Sequence, residues 1–200
     1  FCPKIPQTIS HARDLGLSNS ETRIFCDAIV ELGEKLGCCF MQLPPGFAPQ
    51  DLMVLKRFLE NFPSEIPLAV EARHPQFFKA GAEGDAFFDL LRRHTIASVI
   101  TDVAGRRDVC HMHLTSDKVL IRFVGNGLHP TDYTRIEEWA ERLNVWLGAG
   151  MREVYFFTHE PDNLLAPELA EFCVKAFSYQ LPTVVLRGPK QVPGRQGTLF

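Results

Sequence analysis

Short apolar runs alternate with segments of helical period along most of the chain, at roughly thirty-residue intervals, and this rhythm restricts the fold more than any other feature. The runs occupy residues 38–43, 68–72, 97–101, 119–124 and 153–158, and several close on Pro or Gly: Pro44-Pro45-Gly46, Pro75, Gly125-Asn126-Gly127 and Pro161. Between them, Leu52, Leu55, Phe58 and Leu59 keep helical spacing, as do Ile136, Trp139, Ala140, Leu143 and Trp146. Earlier, Ser18 and Glu21 form a capping-box pattern ahead of Ile24, Phe25, Ala28, Ile29 and Leu32, while residues 8–11 read as a polar turn. Strands that recur at this distance with helices between them pair in parallel.

The expected fold class is therefore α/β, a TIM-type (β/α) barrel that is incomplete. About six of the eight strands such a barrel needs can be counted, including a partial one at residues 1–6. The abrupt opening on Phe1-Cys2-Pro3-Lys4 suggests a longer protein truncated at its N-terminal side. Two regions are expected: the partial barrel over residues 1–186 and a Pro/Gly-rich tail over residues 187–200.

Composition narrows the partners. A formal charge of -3 offers no general attraction to polyanions, so neither direct nucleic-acid binding nor a membrane role is expected. The six cysteines lie mostly in apolar runs without a C-x-x-C or secreted framework, which fits a reduced, cytoplasmic protein. Glycine-rich nucleotide loops and the G-x-S-x-G elbow are absent.

In a parallel barrel the C-terminal strand ends share one face, where Lys4, Gln42, Glu71, Arg73, His74, Asp102, Arg122 and His159 could converge. Glu71, His74 and Asp102 are the candidate catalytic residues, two carboxylates and an imidazole suited to acid/base work. Lys4, Gln42, Arg73, Arg122 and His159 are the candidate substrate contacts, with cationic groups fit to hold a phosphate or carboxylate. The competing structural reading of Glu71 and Arg73 is an ion pair between neighbouring strands. No compact metal motif fixes a ligand spacing, Cys110-x-x-His113 lacks a second ligand pair, and no metal or cofactor is assigned.

Taken together, Lys4-x-Pro6 with Ile9-Ser10-His11, Gln42-Leu43-Pro44-Pro45, Glu71-Ala72-Arg73-His74, Asp102, Arg122-Phe123 and Tyr155-Phe156-Phe157 resemble the YecE-like family, domain of unknown function 72. The resemblance implies a TIM-type barrel whose first two strands precede the part seen here. It departs from the family pattern at Ser10, at Phe123-Val124-Gly125 and at Thr158-His159-Glu160.

Two functions follow as expectations. One is an enzyme acting by acid/base chemistry on a small polar or anionic ligand, phosphorylated or sugar-like. The other is a non-enzymatic adaptor in DNA maintenance, because Gln196-Gly197-Thr198-Leu199-Phe200 resembles the Q-x-x-L-F peptide that docks on the DNA-polymerase sliding clamp, with Gln196, Leu199 and Phe200 as anchors.

Overall fold

A computed structural model of the chain describes residues 1–79 and 81–187. Five parallel strands form one sheet in sequential order: β1 (Cys39–Gln42), β2 (Leu68–Glu71), β3 (Ala97–Val103), β4 (Lys118–Val124) and β5 (Glu153–His159). The first expected strand is reduced to a single parallel bridge between Lys4 and Phe40, flanked by hydrogen bonds from Ile5 N to Phe40 O and from Phe40 N to Pro3 O. Among the described residues the sheet is a curled half-barrel of five strands rather than a closed barrel of eight.

Among the described residues six helices accompany it: α1 (Gln7–Ser10), α2 (Glu21–Val30), α3 (Leu52–Asn61), α4 (Ala82–Arg93), α5 (Pro130–Gly148) and α6 (Ala166–Gln180). Their apolar stripes explain where they pack. Leu55, Phe58 and Leu59 of α3 and Phe87, Phe88 and Leu91 of α4 meet Met41, Leu68 and Val70 of β1 and β2. Ile136, Trp139, Ala140 and Leu143 of α5, with Leu169, Cys173 and Phe177 of α6, cover Ile100, Ile121 and Phe123.

Side chains alternate across a strand, so the other face of the sheet carries Cys38, Phe40, Ala69, Ala97, Val99, Leu120, Tyr155 and Phe157. This is the inner face, and among the described residues no helical residue contributes to its apolar cluster. β3 and β4 differ from the other neighbouring strands in having no α-helix between them. Residues 104–117 carry only a short 3-10 turn, Arg107–Val109.

Local signals differ from expectation in two places. Residues 7–10 form one helical turn instead of a polar turn. The Ser18/Glu21 capping box does not form: Ser20 precedes α2 without a side-chain cap, and Asn19 Oδ1 accepts the Glu21 N–H at 2.9 Å. No helix among the described residues is long and apolar enough to cross a membrane.

The β3–β4 connection is held by an aromatic stack. His111 lies 5.9 Å from Phe78 and 4.7 Å from Phe88, and His113 stacks on Phe88 at 4.0 Å. His111 Nδ1 accepts the His113 N–H, which leaves Nε2–H to donate to Val99 O at 3.0 Å, the neutral tautomer. Burial pushes the His111 pKa down to about 4, the Val99 carbonyl opposes this, and His113 lowers it further. As pH falls from about 6.5 toward 4 the unfolded chain therefore takes up the proton first. The stability His111 contributes is complete above this window and lost through it, at most about 3 kcal/mol. Urea unfolding at a series of pH values is expected to show that acid slope in the wild type and a flatter one in His111→Gln.

Candidate functional site

The inner face ends in polar residues on the C-terminal side. Gln42 closes β1 and Glu71 closes β2, directly paired in register, and alternation places both beyond Phe40 and Ala69 on the inner surface. Arg122 follows Leu120 on β4, and His159 follows Phe157 at the end of β5. Lys4, on the segment bridged to β1, completes the row.

Four of these side chains, Lys4, Gln42, Glu71 and Arg122, form one hydrogen-bonded chain. Lys4 Nζ donates to Gln42 Oε1 at 3.0 Å, and Gln42 Nε2 donates to Glu71 Oε1 at 2.8 Å. Arg122 Nη1 donates to Glu71 Oε2 at 2.7 Å. Since β3 lies between β2 and β4, the arginine reaches across a whole strand to make this pair. Thr101, the register partner of Arg122 on β3, has a buried Oγ1 without a hydrogen-bond partner among the described residues. Glu71 is 3% exposed, so its charge depends on these two donors, whereas Lys4 is exposed and Arg122 partly so.

His159 sits at the exposed rim of the row. Partial desolvation, and then the Arg122 guanidinium, push its pKa below the ordinary histidine range, while Glu71 pulls it up. The neutral imidazole that results at neutral pH is able to accept a proton.

Asp102 does not join this row. It lies one residue beyond the inward-facing Thr101, so its side chain points to the helix layer and is fully buried there. Trp139 Nε1 donates to Oδ2 at 2.8 Å, while Arg107 Nη1 and Arg135 Nη2 donate to Oδ1 at 2.9 and 3.2 Å. Arg135 also pairs with Asp132 at 3.1 Å and packs over the Phe123 ring at 4.1 Å. The expectation that Asp102 and Glu71 meet as an acid/base pair is corrected by strand parity: they occupy opposite faces of the sheet.

His74 and Arg73 also fall outside the chain of bonds. Both follow the end of β2, and the His74 ring is spent capping the 3-10 turn Pro75–Phe78 by accepting the Gln76 N–H at 3.3 Å. Arg73 is exposed and has no ion pair among the described residues. The expected partner contacts Gln196, Leu199 and Phe200 lie outside the described residues.

Sequence reasoning missed Arg107, Arg135 and Trp139 around Asp102, and Glu160 beside Gly125. The backbone donors of the Gly125-Asn126-Gly127 loop, which could have cradled a phosphate, are already occupied. Glu160 accepts the Gly127 N–H at 2.8 Å and the Leu128 N–H at 3.4 Å, and Asp132 accepts the Asn126 N–H at 2.7 Å. A Cβ at position 125 would overlap the Glu160 carboxylate, which accounts for the glycine. Among the described residues, no three His, Cys, Asp or Glu side chains gather into a group able to hold a metal ion.

A parallel α/β half-barrel with a polar row at its strand ends defines the class to which the chain is assigned. The profile of the family described as "Protein of unknown function DUF72" matches residues 1–193. The chain is 31% identical, over 218 aligned positions, to the UPF0759 protein YecE of Escherichia coli K12 and to that of the O157:H7 strain, covering all of this chain and 78% of each relative. It belongs to the DUF72 family. A solved DUF72 family protein from Enterococcus faecalis V583 has the same fold, with a TM-score of 0.71 at 18% identity over 96% of this chain and 78% of that one. Another from Thermotoga maritima MSB8 gives 0.63 at 21% identity, over 90% of this chain and 72% of that one.

Proposed function

We propose that the inner strand ends bind a small anionic ligand, a phosphate ester or carboxylate, and that Glu71 and His159 perform acid/base chemistry beside it. The observation that carries this reading is the direction of the hydrogen bonds from Lys4 through Gln42 to Glu71 and from Arg122 back to Glu71. Each oxygen of the sole carboxylate in the row already has a protein donor, while Lys4 and Arg122 retain unused N–H groups. Two cations against one carboxylate leave the row one positive charge in excess, with His159 neutral. Such a row attracts an anion and holds it by charge-assisted hydrogen bonds. Arg122 would orient the ligand, and His159 would move the proton at its rim.

Calorimetric titration with inorganic phosphate tests the binding part. The wild type is expected to bind at one site, and Arg122→Gln to bind at least about tenfold more weakly, the loss typical of one charge-assisted contact. Equal affinity in the two proteins removes the strand ends as the anion site.

A further inference from the structure

We infer a second ligand site, on the helix side of the sheet, that takes an apolar α-amino acid as its zwitterion. Where other neighbouring strands have a helix between them, β3 and β4 have only residues 104–117, and beside α5 this leaves a cleft of about 370 Å³. That volume falls in the range of small-molecule pockets.

Its lining carries three kinds of surface. Trp146, Met112 and Val145 form an apolar wall, and Trp146 meets the edge of the buried Trp139 with ring centroids 6.0 Å apart. Arg142 lies 5.9 Å from the Trp146 ring and has no ion-pair partner among the described residues. Arg107 spends one donor on Asp102 and has a side chain 54% exposed. On α5, Glu138 and Glu141 contribute carboxylates that also lack ion-pair partners among the described residues.

A simple anion would meet the two glutamates, and a simple cation the two arginines. A ligand bearing both charges at the separation of one carbon satisfies both sets, with its side chain against Trp146. The carboxylate is assigned to Arg107 and Arg142, the ammonium to Glu138 and Glu141. Asp102 and Arg135, joined by a buried ion pair, form the floor of the cleft.

The chain has two tryptophans, and both line this cleft, so intrinsic fluorescence reports on it directly. Titration with L-phenylalanine is expected to give a saturable change. Hydrocinnamate, which lacks the amine, and phenethylamine, which lacks the carboxylate, are each expected to bind at least about tenfold more weakly. Arg142→Gln and Glu138→Gln, at exposed positions, should each weaken phenylalanine by about tenfold, while Arg122→Gln leaves it unchanged because that residue lies on the inner face. Absence of saturation up to about 10 mM, equal binding of the three compounds, or indifference to Arg142→Gln overturns the assignment.

Discussion

Replacing Asp102 by alanine is expected to cost about 3–4 kcal/mol of unfolding free energy, read as a lower urea midpoint at unchanged slope. The carboxylate is fully buried and accepts from Trp139, Arg135 and Arg107. Its removal strands an indole N–H and leaves the buried Arg135 with Asp132 as its one carboxylate partner. Burying an unpaired donor costs about 1–3 kcal/mol, and weakening a buried ion pair adds to this. Asp102→Asn keeps an acceptor for Trp139 and loses the charge, so it should lose about half as much. Phosphate binding at the inner face should be unaltered in any Asp102 variant that folds. A loss below about 1 kcal/mol in Asp102→Ala would mean that the network contributes no more than a surface ion pair.

Glu71→Gln is expected to move ligand affinity and stability in opposite directions. In the wild type Glu71 holds Arg122 at 2.7 Å and competes with any incoming anion for that guanidinium. The amide keeps a hydrogen bond to Gln42 within reach and removes the competing charge, so phosphate should bind about three- to tenfold more tightly. Loss of the largely buried ion pair should lower stability by about 1–3 kcal/mol. Acid/base turnover that uses Glu71 should disappear in the same variant. Calorimetry and urea unfolding on one preparation give both numbers, and weaker phosphate binding would mean that Glu71 positions Arg122 for the ligand rather than competing with it.

Much of the fold was readable because apolar runs and helical stripes were long and separated by Pro and Gly. Gln42 and Glu71 stood out as polar residues ending such runs, and the structure joins them directly. Asp102 was misplaced for a specific reason. Residues 97–100 are buried on both faces, so the strand shows no inside/outside alternation, and a shift of one residue exchanges the two sides. Only the register with β4, which pairs Thr101 with Arg122, decides that Thr101 faces inward and Asp102 outward.

Two of its three side-chain partners, Arg135 and Trp139, lie 33 and 37 residues away on α5, beyond local pattern reading. One signal was present: Asp132 and Arg135 fall on the same helical stripe as Ile136, Trp139 and Leu143, and an arginine among core residues requires a buried acid. His74 differs: its ring, directly before Pro75, caps the turn that the proline begins, a local role that the sequence pattern does not separate from a chemical one.

Whether the row from Lys4 to His159 is an anion site can be read from a crystal of the protein soaked in tungstate. A tungstate is expected on the inner face, with oxygens about 3 Å from Lys4 Nζ and from the Arg122 guanidinium, and is expected to be lost in Arg122→Gln crystals. Tungstate bound elsewhere while these two groups remain without an anion would contradict an anion site there.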